Sequence, residues 1–254
     1  MTRPHAALAV FETQAQVSQN LRTMQAKIAE AAGKAQLVVF SEMALSGFVL
    51  SGRDAQTDLS FAVAADGAEI GLLRESARSH GVWVAFGFLE RAHGQLFDSA
   101  LLLDDAGRTR LHYRRISPTW HWPDAPATFE EGHTVPVAVT PFGRVAFLIC
   151  GDAFCSEALA RLRDGRPTLL LLPLARGFDE DAPNIDSWRA EHQLYADALR
   201  DLVPTTLAIN SLGAGMVGGA FRAEAGSVRE TLPLNVNDLM IVDLPTPHAR
   251  KEFA

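Results

Sequence analysis

Lysine is almost missing from this chain. Of its 23 cationic side chains only Lys27, Lys34 and Lys251 are lysines, and none stands between residues 34 and 251. Any chemistry in that long interval that calls for a cation therefore has to use arginine. Cysteine is also scarce, with only Cys150 and Cys155. Two cysteines five positions apart give no disulfide framework, and without a matching set of histidines they make a poor zinc site. A basic excess is lacking too: the formal charge is −7 and the pI about 5.6, which speaks against nucleic acid as the main partner. Long apolar runs are absent. Leu169 to Leu172 is bounded by Pro167 and Pro173, far short of a membrane span. Met1 to His5 leads into only the short stretch Ala6–Phe11, so no secretory leader is expected and a cytoplasmic protein is.

Apolar residues make up 48% of the 254, enough for a large core, and no linker or repeat divides them. A single domain over residues 1–254 is expected. Apolar, β-branched runs bounded by turn residues predict strands at Ala7–Val10, Leu37–Phe40, Val82–Phe88, Ser99–Leu103, Val137–Thr140, Val145–Ile149, Thr168–Leu172, Thr205–Ile209 and Met240–Val242. Helical spacing marks Gln14–Ala32, Ile70–Ser79, Ser156–Arg163 and Ile185–Leu202. Strands alternating with helices predict an α/β fold. Turn residues between Gly87 and Thr109 predict antiparallel hairpins, hence a mixed sheet.

Three strand-like runs end in reactive groups. Leu37–Phe40 delivers Glu42, a carboxylate whose place behind a buried run needs a reason. Leu111-His112-Tyr113 delivers Arg114 and Arg115. Phe147-Leu148-Ile149 delivers Cys150 into Gly151-Asp152, a tight turn that Asp152 is suited to anchor by accepting backbone N–H groups. Ligands of open α/β sheets bind at such strand ends. A thiol, a carboxylate base and a cation are the parts of nucleophilic catalysis. Trp120, His121 and Trp122 suit a pocket wall and a subunit contact alike.

In order along the chain, these segments resemble those of the nitrilase superfamily, the carbon–nitrogen hydrolases. Ser41-Glu42 to Gly47-Phe48 matches its PE…GF segment. Gly87 to Glu90, Asp98-Ser99-Ala100, Gly107 and Tyr113-Arg114-Arg115 match G…E…NSA…G…YRK. Phe129-Glu130-Glu131-Gly132 matches FxEG, and Gly143-Arg144-Val145 with Ile149-Cys150-Gly151-Asp152 matches GRV…ICYD. The resemblance implies a four-layer α-β-β-α sandwich. It implies Cys150 as nucleophile, Glu42 as general base and Glu131 as a second glutamate that helps position the others. The Gly151 N–H would be an oxyanion donor, and Arg176 and Phe178 would lie on a substrate-contacting loop. A small linear amide, carbamoyl compound or nitrile is the implied substrate, with no metal or organic cofactor. A homodimer or larger assembly is implied, packed through the helices after Cys150 and near Ile185–Leu202.

One departure stands out. The family's lysine falls at Arg115, a fixed charge with a broad fork in place of a compact amine that can lose its proton. Arg115 is expected to keep the electrostatic half of the lysine role. The other reading is a non-catalytic relative that keeps the fold and acts as a binding or regulatory protein.

Overall fold

The computed structural model describes residues 4–48, 50–177, 185–213 and 215–245. The first half runs β1 (His5–Ala9), α1 (Val17–Ala31), β2 (Leu37–Val39), α2 (Ala55–Phe61), α3 (Ala68–His80), β3 (Trp83–Ala92), β4 (Gln95–Leu103) and β5 (Thr109–Arg114). The second runs β6 (Ala138–Thr140), β7 (Gly143–Phe147), α4 (Ser156–Gly165), β8 (Leu169–Leu174), α5 (Ile185–Leu199), β9 (Thr205–Asn210), β10 (Leu212–Gly213), β11 (Met216–Val217), β12 (Ala220–Glu224), β13 (Ser227–Leu232) and β14 (Leu239–Asp243). Two six-stranded sheets result, ordered β14-β1-β2-β3-β4-β5 and β13-β12-β9-β8-β7-β6, with β10 and β11 as a separate ribbon. In both sheets three neighbouring strands are parallel (β1-β2-β3 and β7-β8-β9) and the remaining pairings are antiparallel.

Side-chain alternation explains the layers. In β1 and the residue after it, Ala6, Leu8 and Val10 join one apolar cluster with Val145, Phe147, Leu169 and Leu171 of the second sheet. Their neighbours Ala7, Ala9 and Phe11 join a different cluster with Leu21, Met24 and Ile28 of α1 and Ile70 and Leu73 of α3. A strand whose successive residues point to opposite faces does this when one face meets a sheet and the other a helix. On the far side, Ala158 and Leu162 of α4 and Tyr195, Ala196 and Leu199 of α5 pack with the second sheet. Every residue of β8 is buried, as a strand covered on both faces requires. The expected α-β-β-α sandwich is the observed one.

Helix α2, the β10–β11 ribbon and the β12–β13 hairpin lie outside the predicted set. Helix α2 starts at Asp54, whose side chain accepts from the N–H groups of Gln56 and Thr57. The β12–β13 hairpin turns through Ala225 and Gly226, both at positive φ, the geometry of a two-residue turn that matches strand twist. Helix α5 stops at Leu199, a turn short of the predicted Leu202. No helix among the described residues is long and apolar enough to cross a membrane.

Candidate active site

Glu42 sits in the turn after β2, fully buried. Gly87 of β3 makes room for it. A Cβ there would lie 2.8 Å from the Glu42 Cα and 2.7 Å from the Met43 nitrogen, so only glycine lets this turn lie against the sheet. Asn20 of α1 braces the far end of the turn by donating to Leu45 O at 3.1 Å. Ser211, after β9, donates to Glu42 O at 2.8 Å, which ties the turn to the second sheet.

Arg115 follows β5 and is also buried. Each of its three nitrogens donates. Nε donates to Ser117 Oγ at 2.8 Å, Nη1 to Glu42 Oε1 at 2.9 Å and Asp98 Oδ2 at 3.3 Å, and Nη2 to Thr119 Oγ1 at 2.6 Å. Burial works against its charge, but Glu42, Cys150, Asp98 and Asp152 around it outweigh that and raise its pKa above the ordinary value. The guanidinium is a permanent cation here.

Cys150 leaves β7 and opens a short 3-10 turn, Cys150–Phe154, with φ at 44°. A left-handed conformation at a non-glycine residue is uncommon and costs energy unless its surroundings enforce it. Asp152 does the enforcing. Its Oδ2 accepts from Ile149 N at 3.0 Å and Tyr113 Oη at 2.6 Å, and its Oδ1 from Ile116 N at 3.1 Å and Ser117 N at 2.7 Å. One carboxylate thus locks the cysteine turn to the segment that carries Arg115. Gly151 next door is needed for space: a Cβ on it would lie 2.6 Å from Thr119 Oγ1 and 2.7 Å from Arg115 Nη2.

These groups border one cavity of about 660 Å³. Glu42, Arg115, Cys150 and Gly151 form its reactive end. Phe48, Trp120, Phe154, Leu194 and Tyr195 give apolar and aromatic walls. Arg176 and Glu191 add a polar pair, Nε to Oε1 at 2.6 Å. Asn210 holds the Arg176 backbone on both sides, accepting from its N–H at 2.7 Å and donating to its carbonyl at 3.0 Å. Tyr195 Oη stands 3.8 Å from Cys150 Sγ, and burial, then Cys150, push its phenol above the ordinary range. Burial and then Cys150 likewise push Glu42 up to about 8, against the pull of Arg115. A carboxyl that titrates near neutrality and borders the same cavity as a thiol is suited to proton transfer.

The structure therefore gathers Glu42, Arg115, Cys150, Gly151, Trp120 and Arg176 around one space. It does not bring Glu131 there. Phe129 is held against β4, with Glu130 N on Leu96 O at 3.0 Å, and Gly132 N is bonded to Arg115 O at 2.7 Å. These bonds turn the Glu131 side chain onto His121, Oε1 to Nε2 at 2.7 Å, beside a different surface cavity. The second carboxylate next to Arg115 is Asp98. Phe178 lies outside the described residues. Sequence reasoning passed over Thr119, Tyr195 and Glu191, and saw in Asp98 only part of a motif. A charged residue inside the apolar run Phe97–Leu103 was the available signal. Among the described residues no cluster of three or more His, Cys, Asp or Glu could hold a metal ion.

Comparison with known proteins gives a consistent picture. The formamidase of Pseudomonas syringae pv. syringae is 34% identical over 173 residues, covering 66% of this chain and 46% of that protein. The bromoxynil-specific nitrilase of Klebsiella pneumoniae subsp. ozaenae is 35% identical over 139 residues, covering 48% of this chain and 37% of its own. The chain spans about half the length, or less, of the curated relatives it matches. An amidase from Nesterenkonia sp. has the same fold, with a TM-score of 0.77 and 24% identity over 96% of this chain and 91% of that one. A variant of the Nesterenkonia sp. AN1 amidase, with a TM-score of 0.76 and 24% identity over 95% of this chain and 93% of its own, shows the result of Michael addition of acrylamide at its active site cysteine. The carbon-nitrogen hydrolase family model matches residues 5–200, from β1 through α5, and the chain belongs to that family, within the nitrilase superfamily.

Proposed function

We propose that this protein hydrolyses the carbon–nitrogen bond of a small linear amide, carbamoyl compound or nitrile through a thioester on Cys150. The observation that carries the reading is the meeting of a thiol, a carboxyl titrating near 8 and a permanent cation on the wall of one cavity. Glu42 takes the thiol proton as sulfur attacks the substrate carbon. For an amide, it then returns that proton to the leaving nitrogen, and ammonia or an amine departs. Water, activated by the same carboxylate, cleaves the thioester. Arg115 Nη2 and the Gly151 N–H flank the space where negative charge develops on the substrate oxygen. Arg115 does this as a fixed charge and passes no proton, so every transfer runs through Glu42.

The aromatic walls favour an acyl group larger than formyl, with Arg176 available to a polar substituent. Phe154 and Leu194 are exposed at the cavity mouth, 49% and 57%. Their position supports a homodimer packed through α5 and the turn after Cys150. The test is a panel of amides and nitriles followed by ammonia release and intact mass. A thioester on Cys150, absent in Cys150→Ala, is the expected result. No turnover, no adduct and slow alkylation of Cys150 would instead support the non-catalytic relative.

A further inference from the structure

The reactive end of the cavity has one carboxyl too many for its cation. Glu42 and Asp98 are both fully buried and share Arg115 Nη1, at 2.9 and 3.3 Å. Among the described residues no other cation is paired with either carboxyl. With both ionised the unit carries a net negative charge out of water, a costly state. Among the described residues, Glu42 Oε2 and Asp98 Oδ1 have no N–H or O–H donor of another residue. Their contacts to the same Nη1 bring the two carboxyl groups together, and each acts on the titration of the other. One proton resident between them neutralises the unit and supplies a missing donor.

The geometry also says which group keeps that proton. Glu42 has the shorter contact to Arg115 and borders the cavity beside Cys150. Asp98 is one layer behind, on β4, with its own carbonyl accepting the Arg115 N–H at 2.8 Å. We propose that Asp98 is a positioning residue that stays protonated and gives its O–H to the Glu42 carboxylate, so that it and Arg115 together hold Glu42 as the base for Cys150. Burial, and then Glu42, push the Asp98 carboxyl well above the usual range, in keeping with that role. The other titratable groups nearby are Cys150, Tyr113 and Asp152. Tyr113 already gives its hydrogen to Asp152, so neither competes for the Asp98 proton.

This assignment rests on the hydrolytic reading, in which Glu42 shuttles a proton from sulfur to the leaving nitrogen. The Asp98 proton does not move in that cycle. It is neither supplied to the substrate nor consumed, and the thiol proton alone balances the ammonia released. Asp98 thus gives an arginine-bearing site a neutral donor on the face of Glu42 that Arg115 leaves open.

The test needs no substrate. Infrared difference spectra of the wild type against Asp98→Asn at neutral pH report the carboxylic acid C=O stretch of residue 98. The pH profile of Cys150 alkylation by iodoacetamide reports the apparent titration of the Glu42–Cys150 pair. The expected results are an acid band lost in D98N and a D98N midpoint close to wild type, because the amide N–H replaces the acid O–H. In Asp98→Ala the donor is gone. Its midpoint moves to higher pH by about a unit, a roughly tenfold slower alkylation at fixed pH on the acid side. Should D98A not fold, the spectrum and the D98N profile still decide. No acid band, or a D98N midpoint lowered by about a unit or more, makes Asp98 an ionised partner of Arg115 and overturns the proposal. Inability to turn over any amide would sink the hydrolytic reading but leave both readouts intact.

Discussion

Replacing Asp152 with asparagine tests how the cysteine turn is held. The side chain is wholly buried and receives four donors, two at each oxygen. Asparagine keeps one oxygen. The less costly orientation leaves that oxygen on the Ile116 and Ser117 N–H groups and turns the amide toward Tyr113 and Ile149. Tyr113 can rotate its hydroxyl and accept, but the Ile149 N–H is left facing an N–H donor. An orphaned buried donor costs about 1–3 kcal/mol. The retained bonds also lose charge assistance, about 1 kcal/mol each for two backbone contacts. The sum is about 3–5 kcal/mol. For a protein of this size that lowers Tm by roughly 6–20 °C. Urea unfolding followed by circular dichroism measures it, with Tyr113→Phe as the control that removes a single donor. Because the two residues touch, the double variant should lose less than the sum of the singles. A D152N protein within about 1 kcal/mol of wild type would refute the claim that this carboxylate enforces the turn.

Four further outcomes follow from the same structure. Gly87→Ala puts a methyl against the Glu42 backbone, so kcat should fall at least tenfold with little change in KM; steady-state kinetics on the best amide checks this. In Arg115→Lys, Ser117 and Thr119 lose their guanidinium donor, and hydrolysis should slow by about 10²-fold; equal rates would mean that the fork has no special role. Because Glu42 is pushed up to about 8, it becomes a base only as pH rises through that value, so kcat/KM should climb from pH 6 to about 8; a flat profile there excludes Glu42 as base. His192 is buried between the rings of Trp188 and Phe221, and burial lowers its pKa to about 3. It stays neutral in the fold while the unfolded chain protonates it below about 6.5. Its contribution is therefore present above pH 6.5 and lost toward pH 3, by about 1.4 kcal/mol per unit, and His192→Phe should flatten the loss of Tm between pH 6 and 4.

What the sequence disclosed follows from where its signals lie. The inner strands of both sheets are apolar runs because they are covered on two faces, and such runs stand out. Strand β13, Ser227–Leu232, reads Ser-Val-Arg-Glu-Thr-Leu and none of its residues is fully buried, so no periodicity marks it. Glu42, Arg115 and Cys150 were legible because each follows a strand that ends at the site. Tyr195 and Glu191 were not: α5 presents them to the cavity on a helix whose pattern looks the same whether a face meets a sheet or a pocket. Asp98 was hidden in mid-strand, where its pairing with Arg115 comes from the lateral register of β4 and β5, Ser99 opposite Arg114. Glu131 was chosen by spacing alone, and spacing does not see the backbone bonds that turn it toward His121.

The thiol and its carboxyl partner come from opposite halves of the sandwich. Glu42, Asp98 and Arg115 ride on the first sheet, and Cys150 on the second. Hydrogen bonds cross between them at two places, from Tyr113, Ile116 and Ser117 to the Asp152 carboxylate and from Ser211 to Ser41 and the Glu42 carbonyl. The gap between sulfur and carboxyl is thus a reading of how thick the apolar interior is. Shaving the interior at Leu171 should register as a slower thiol well before it registers as unfolding, and moderate hydrostatic pressure should tune alkylation continuously in a protein that is still fully folded.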